Sequence, residues 1–387
     1  MEKPNQKPFY PYFSSGPCAK PPGWNVDIFK NAALSRSHRS PYAKVKLKEV
    51  IEKSKKLLQI PEDYRVGIVP ASDTGAVEMA MWSLLGPRGV EVLSWENFGH
   101  DWVYDVENQL PLENKIIRKG KYGFLPDLQK VNFDNDIIFT WNGTTAGVRV
   151  KNGDWIASDR AGLTICDATS AVFSMKLDWD KLDVITYSWQ KVLGGEAAHG
   201  MLILSPRAVE RLQSYQPSWP IPKLFRLSKD KKLSEGIFSG ETINTPSMIA
   251  VEDVLNSLNW GESVGGLDGM IKISENNLEI VSEWIKQSDT FKFLADDVDT
   301  ISCTSICILP KDKWFLELSD ELKTKFMKEV CAEIEKNDAG YDLNSYKTAP
   351  AGIRIWGGST VENENVRLLL PWIDWSYESV KERYTNG

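Results

Sequence analysis

The chain has 387 residues, of which 42% are hydrophobic and 26% charged, and its formal net charge is −7 at pH 7. This composition is typical of a folded globular protein and excludes a disordered chain. The acidic balance argues against general nucleic-acid binding, because lysine and arginine are not in excess to neutralise phosphates.

No segment resembles an export signal or is apolar enough to cross a membrane, so we predict no membrane association. The five cysteines include no Cys-x-x-Cys pair, which predicts a reducing compartment, the cytoplasm, rather than a disulfide framework. The three histidines show no metal-ligand spacing, so no metal site is predicted. The 15 tryptophans are scattered, which favours packing over a carbohydrate-binding face.

Short apolar runs alternate with helical segments between residues 64 and 210. The runs are nearly continuous, which is typical of strands buried on both faces of a mainly parallel sheet; they cover residues 65–70, 90–94, 136–141, 163–166, 183–188 and 200–204. A helix is predicted over residues 75–85. This alternation predicts a doubly wound α/β domain that binds ligands at the carboxyl ends of its strands.

The pattern changes after residue 213. Residues 214–247 are rich in proline and glycine and predict a long functional loop. Amphipathic segments follow at 248–258, 267–286 and 319–335, and strands are predicted near 300–309 and 353–356. We therefore predict an N-terminal segment (1–30), a large α/β domain (31–255) and a smaller C-terminal α+β domain (256–387).

Asp167 and Lys191 each follow a predicted buried strand, at the edge of the sheet where ligands bind. A lysine held among apolar residues and glycines loses basicity, as a Schiff-base nucleophile requires. A carboxylate at a neighbouring strand end suits the ring nitrogen of pyridoxal phosphate. On spacing alone, the alternative is a lysine that extends to the surface and an aspartate that caps a turn.

A second candidate site is the segment Pro-Ala-Ser-Asp-Thr-Gly-Ala at residues 70–76, which joins a strand to a helix. Free backbone N–H groups at a helix N-terminus bind anions, although ordinary helix capping is the alternative interpretation. The segment matches neither a P-loop nor a dinucleotide fingerprint. The carboxylate of Asp73 would repel a phosphate, so we expect this residue to offer its N–H while its side chain caps the helix or turns away.

Three basic residues are candidates for binding an anionic substrate. His38 and Arg39 lie in a polar segment, whereas Arg354 lies within an apolar run where an unpaired charge is costly. A solvated surface position is the alternative for each of them.

These segments together resemble the phosphoserine aminotransferases, fold-type I enzymes of class V that depend on pyridoxal 5'-phosphate. The matching motifs span nearly the whole chain and occur in the family's order; they lie at residues 13–17, 37–40, 70–75, 141–145, 167–170, 188–191, 240–246 and 352–354. The resemblance implies a large domain with a mainly parallel seven-stranded sheet and a smaller C-terminal α+β domain.

The resemblance also implies roles for the residues around the cofactor. Lys191 would bind pyridoxal phosphate covalently and shuttle a proton, and Asp167 would pair with its ring nitrogen. The remaining cofactor-binding positions are Asp73, Thr74 and Gln190 at the phosphate, Thr144 near the ring hydroxyl, Phe98 against the ring, and Asn244 and Thr245 reaching the phosphate of a neighbouring subunit in a homodimer.

For the substrate, the resemblance assigns the distal anion to His38 and Arg39 and the α-carboxylate to Arg354. Two positions depart from the family's pattern. Phe98 stands where some relatives have tryptophan, and Tyr346-Lys347 replaces a His-Arg pair. Because lysine is a point charge rather than a planar fork, the contribution of Lys347 to phosphate binding stays open.

The expected reaction is reversible amino transfer between L-glutamate and 3-phosphohydroxypyruvate, which gives O-phospho-L-serine and 2-oxoglutarate in serine biosynthesis. The resemblance leaves open a second, phosphorylated substrate in vitamin B6 synthesis. The alternative function is that of another fold-type I aminotransferase, of the serine or alanine–glyoxylate kind.

Overall fold

The computed structural model describes residues 1–386, so Gly387, at the end of the predicted small domain, lies outside the described residues. A seven-stranded sheet forms the centre of the molecule. Its strands are β1 (Arg65–Pro70), β2 (Val90–Ser94), β3 (Lys115–Lys119), β4 (Asp136–Thr140), β5 (Thr164–Asp167), β6 (Val184–Ser188) and β7 (His199–Leu204).

The strand order is β1-β7-β6-β5-β4-β2-β3, and the four pairings from β6 to β3 are parallel. Only β7 runs in the opposite direction, between β1 and β6. The mainly parallel α/β sheet is therefore confirmed, and the six strands predicted from the apolar runs all form within one or two residues of their predicted bounds.

Helices cover both faces of this sheet. They are α1 (Pro41–Leu57), α2 (Ser72–Leu84), α3 (Asn97–Asn108), α4 (Pro206–Ser214) and α5 (Met248–Ser263). Helices α1 and α5 share one apolar cluster with the strands, and α2, α3 and α4 share another. Because both faces are buried, the central strands need no polar alternation, which explains their continuous apolar runs.

The C-terminal part contains a three-stranded antiparallel sheet, as the predicted α+β pattern requires. Its strands are β8 (Phe291–Phe293), β9 (Ser305–Pro310) and β10 (Ile353–Trp356), and its helices are α6 (Gly266–Gln287), α7 (Lys313–Leu316), α8 (Asp320–Lys336) and α9 (Asn363–Asn386). The predicted boundary at residue 255 falls within α5, and the division into domains stays a prediction.

The N-terminal segment packs against the C-terminal part. Tyr12 forms a bridge with Tyr341, and the backbone N–H of Trp356 donates to the carbonyl of Phe13 at 3.3 Å. The loop at 214–247 contains short helical turns and a two-stranded ribbon, Ser228–Lys229 with Lys232–Leu233. Within residues 1–386, no helix has both the length and the apolar character that a bilayer span requires.

His199, the first residue of β7, fixes the start of α5 to the central sheet. Its Nε2 accepts a hydrogen bond from the backbone N–H of Ser247 at 3.0 Å, which requires an unprotonated nitrogen. The imidazole also lies against the Trp189 ring, with ring centres 5.1 Å apart. Burial lowers the pKa of His199 from 6.5 to about 4.

The folded protein therefore resists protonation of His199 between pH 6.5 and 4, whereas the unfolded chain takes up a proton in that range. The contribution of His199 to the free energy of unfolding should be complete above pH 6.5 and decrease as the pH falls toward 4. His199→Gln keeps an acceptor but cannot titrate. When the pH is lowered from 7 to 4.5, we predict that the free energy of unfolding of this variant decreases by about 2 kcal/mol less than that of wild type. Urea unfolding at both pH values measures this difference, and parallel pH curves for the two proteins would contradict it.

Candidate active site

Five strand ends meet at one edge of the central sheet. The carboxyl ends of β1, β4, β5 and β6 lie there together with the amino end of β7, since Pro70 pairs with His199. The pairing register places Asp167 between Thr140 on β4 and Thr186 on β6. This edge is where an α/β sheet binds ligands, and the predicted catalytic residues follow its strands.

Lys191 lies just past β6 with its side chain buried. Its Nζ donates to the carbonyl oxygen of Ser15 and lies 5.9 Å from the ring centres of both Phe98 and Trp356. Burial lowers the pKa of this amine, and the nearby charge of Arg354 lowers it further. A larger fraction of the amine is therefore unprotonated and able to attack a carbonyl carbon.

Gly16 makes room for this amine. Its φ is +142°, a conformation that residues with a side chain rarely adopt, and a Cβ at this position would lie 2.9 Å from the Nζ of Lys191. The motif at residues 13–17 therefore has a steric reason for its glycine, because any larger residue would displace the lysine.

Asp167 ends β5 and is buried, with its Oδ1 accepting a hydrogen bond from the backbone N–H of Thr169 at 3.0 Å. The side chain of Asp73 is also buried and turns toward Asp167. Of the two orientations expected for Asp73, capping of α2 is not observed, since the N-cap residue is Ala71 and forms no side-chain cap.

The N-terminus of α2 offers donors for an anion. Ala71 and Ser72 have left-handed backbone conformations, with φ of 65° and 55°, and the first backbone hydrogen bond of the helix runs from Gly75 N to Ala71 O at 2.9 Å. In the described chain the N–H groups of Ser72, Asp73 and Thr74 form no backbone hydrogen bond, so they remain free to bind a phosphate.

Thr144 and Phe98 are positioned by one buried carboxylate. Glu96 accepts hydrogen bonds from the backbone N–H of Gly99 at 2.8 Å and from the N and Oγ1 of Thr145 at 3.2 and 2.7 Å. These bonds fix the start of α3, which carries Phe98, beside the turn that carries Thr144. The sequence interpretation did not single out Glu96, because glutamate is not among the residues that typically cap a helix from this position.

Arg354 lies on β10, and its charge acts on Lys191 and on Cys18. The Nε of Arg354 and the Oε1 of Gln190 are buried without a hydrogen-bond partner among the described residues. Unpaired buried polar atoms are costly, so these two side chains are candidates for binding a ligand.

Trp356 and Tyr346 also join this cluster. Trp356 was not predicted, and Tyr346 was noted only as a departure from the family's pattern. Trp356 lies two residues after Arg354 on the same strand, so both side chains project from one face. The Tyr346 ring lies 5.8 Å from that of Phe98. The alternation of β10 was the signal that would have identified Trp356.

Four predicted site residues are not joined to this cluster in the single chain. Arg39, Asn244 and Thr245 are exposed and His38 is half-buried. No hydrogen bond or ion pair within residues 1–386 connects them to Lys191, Asp167 or Arg354. They lie in segments that precede α1 and α5.

These residues fit pyridoxal phosphate. A buried amine of lowered basicity, a buried carboxyl at the neighbouring strand end and free N–H groups at a helix N-terminus match the aldehyde, ring nitrogen and phosphate of that cofactor. The buried, unpaired Nε of Arg354 and Oε1 of Gln190 offer one further donor and one further acceptor.

Comparison with known proteins places the chain in a family, although no family model matches it. A phosphoserine aminotransferase of Methanosarcina barkeri is 53% identical over 379 residues, which cover 98% of this chain and 100% of that protein. The fold is similar to that of a phosphoserine aminotransferase from Cytophaga hutchinsonii, with a TM-score of 0.78, 21% identity, and coverage of 94% of this chain and 98% of that one.

A phosphoserine aminotransferase from Trichomonas vaginalis, solved with bound pyridoxal phosphate, has a similar fold, with a TM-score of 0.74, 18% identity, and coverage of 94% of this chain and 99% of that one. These two likenesses support the fold, and the sequence identity to the Methanosarcina protein over the full length supports the family. The chain belongs to the phosphoserine aminotransferase family.

Proposed function

We propose that this protein uses pyridoxal 5'-phosphate to transfer an amino group between L-glutamate and 3-phosphohydroxypyruvate, giving O-phospho-L-serine and 2-oxoglutarate. The observation that supports this most directly is the buried Lys191 amine of lowered basicity, close to Asp167 and beside the unpaired Arg354. When bound, the cofactor supplies an aldehyde carbon that accepts the amino group and a ring that withdraws electrons from it.

The predicted cofactor-binding residues contact different parts of pyridoxal phosphate. Lys191 binds the aldehyde carbon, and Asp167 holds a proton on the ring nitrogen. The remaining contacts are those of Asp73, Thr74 and Gln190 with the phosphate, Thr144 with the ring hydroxyl and Phe98 with the ring face. The low-dielectric surroundings of Lys191 strengthen each polar contact and exclude water.

Lys191 has a second role once its Nζ is free. Its neutral amine would move a proton between the Cα of the substrate and the cofactor carbon that carries the nitrogen, in one direction for the amino acid and in the other for the keto acid. The aromatic rings of Phe98 and Trp356, each 5.9 Å from the Nζ, limit where it can move.

The substrates are recognised by their two anionic ends. Arg354 binds the α-carboxylate, for which its unpaired Nε is available. His38 and Arg39 bind the distal carboxylate or phosphate. Because the chain is acidic as a whole, the local charge of Arg39 is what would attract dianionic substrates. Burial and the charge of Arg39 lower the pKa of His38, so this residue contributes a neutral hydrogen-bond donor.

We further propose a homodimer with shared active sites. Apolar side chains are exposed along α1 and the segment before it and at the start of α5, at Val26, Leu34, Tyr42, Val45 and Ile249. This surface lies next to the exposed Asn244 and Thr245, so a second copy that covers it would receive these residues near its cofactor phosphate. The five cysteines, all unpaired and buried, support a cytoplasmic location.

The lysine assignment predicts the site of a covalent label. Borohydride reduction of the enzyme with pyridoxal phosphate should attach a pyridoxyl group to Lys191, because a reduced Schiff base is stable. Peptide mass mapping locates the label. Lys347→Ala should keep the label on Lys191, and Lys191→Ala should abolish both the label and turnover; a label on another lysine would overturn the assignment.

The distal-anion role predicts a kinetic effect of Arg39→Ala. Loss of a charge-assisted contact should lower kcat/KM for 3-phosphohydroxypyruvate by about 2–4 kcal/mol of transition-state stabilisation. The value for a keto acid that has no distal anion, such as pyruvate, should change far less. Arg36→Ala, in the same exposed segment, is the control. Equal losses for both substrates would remove Arg39 from the phosphate site.

Shared sites predict recovery of activity in mixed dimers. Lys191→Ala and the double variant Asn244→Ala, Thr245→Ala should each be inactive alone. Co-expression should give mixed dimers with one intact site, so about a quarter of the sites in a random 1:1 mixture are complete. If Asn244 and Thr245 act on their own subunit's cofactor, every mixed site has a defect and no activity returns.

A further inference from the structure

Two carboxyl groups face each other under the proposed cofactor site. Asp73, in the first turn of α2, and Asp167, at the end of β5, are 6% and 4% exposed and lie within hydrogen-bonding distance of each other. Thr186, which is paired in register with Asp167 on β6, lies beside Asp73. Three elements, α2, β5 and β6, therefore meet at this pair of carboxyl groups.

Two carboxylates this close cannot both be ionised away from water, so the pair holds one proton and one negative charge. Asp167 has a fixed donor, the Thr169 N–H at 3.0 Å, which stabilises its ionised form. The Trp102 indole N–H also favours the ionised form of Asp167. By contrast, the Oδ1 of Asp73 accepts no hydrogen bond from the described residues, and Thr186 is the single side-chain hydroxyl that acts on this carboxyl. The proton therefore belongs on Asp73.

The electrostatics agree with this assignment. Burial raises the pKa of Asp73 well above its usual range, and the charge of Asp167 raises it further. Burial also raises the pKa of Asp167, but the hydrogen bonds from Asp73 and Thr169 oppose that effect. Lys191 favours the ionised form of both carboxyls, and Glu96 is the other charged group that acts on Asp167.

We propose that Asp73 is a positioning residue that stays protonated at neutral pH and donates a hydrogen bond to Asp167, which then carries the single negative charge of the pair. The functional part of this inference rests on the proposed role of Asp167 as partner of the cofactor's ring nitrogen. The donated hydrogen bond keeps Asp167 ionised in a buried site, where it would otherwise be driven to neutralise.

This assignment also removes a conflict in the phosphate site. A charged Asp73 within the first turn of α2 would repel an anion bound to the N–H groups of that turn. A neutral Asp73, turned toward Asp167, adds no repulsion and leaves its own N–H free. One proton thus serves both ends of the cofactor site.

Infrared spectroscopy tests the proton directly. At pH 7.5 the full-length wild-type protein should show the carbonyl stretch of a protonated carboxylic acid, and Asp73→Asn should lose one such band, both with pyridoxal phosphate bound and with it removed. The control is Asp105→Asn, which should leave the bands unchanged at pH 7.5, since burial raises the pKa of Asp105 only to about 6. If Asp73→Asn loses no band, Asp73 is ionised and the proposal fails.

The absorption of the bound cofactor tests the hydrogen bond. An asparagine at position 73 can still donate to Asp167 and an alanine cannot. The pH midpoint of the visible absorption change should therefore stay at the wild-type value in Asp73→Asn and move by about one unit in Asp73→Ala. Equal movement in both variants would overturn the positioning role.

These measurements distinguish failure of the proposed function from failure of the shared proton. Failure of borohydride to label Lys191 would reject the proposed function while leaving the infrared result for the cofactor-free protein intact. Loss of the infrared band without any effect on cofactor absorption would keep the shared proton but reject its role toward the cofactor.

Discussion

The central constraint in this structure is the burial of ionisable groups at one edge of a sheet. Lys191 is enclosed by the rings of Phe98 and Trp356, and the carboxyl of Asp167 is buried nearby. Charges in such a place are stable only with partners, so the pKa of the lysine is lowered and the two facing carboxyls hold one charge between them. The same desolvation that destabilises these charges provides a neutral amine for chemistry.

The surrounding fold serves to hold that amine in place. The turn that follows Lys191 is fixed by Asp253 of α5, whose Oδ2 accepts hydrogen bonds from the Glu196 N–H at 2.9 Å and the Lys20 Nζ at 2.8 Å. Its other oxygen accepts from Trp24 at 2.8 Å. A single buried carboxylate therefore connects three segments that are distant in sequence: the N-terminal segment, the turn after Lys191 and α5.

The sequence predicted those parts of the fold in which local pattern and tertiary environment agree. The buried central strands were identified because both of their faces are apolar. The edge strand β3 was missed because its sequence, Lys-Ile-Ile-Arg-Lys, is half-exposed and charged at both ends. In the candidate site, Lys191, Asp167 and Arg354 were predicted from their positions after or within apolar runs, and the structure buries the first two together. Trp356 and the contact between Asp73 and Asp167 were not, since they depend on packing between elements distant in sequence.

The predicted site residues are buried or exposed according to their proposed roles. The residues proposed to carry the covalent chemistry need a rigid, water-free setting, and they lie at strand ends and in turns fixed by buried carboxylates. The residues expected to bind anions, His38, Arg39, Asn244 and Thr245, instead lie in exposed segments outside that core. In the proposed dimer these segments become part of a site only on assembly. Assembly would then complete anion binding around the proposed catalytic lysine, whose buried surroundings are already present in the single chain.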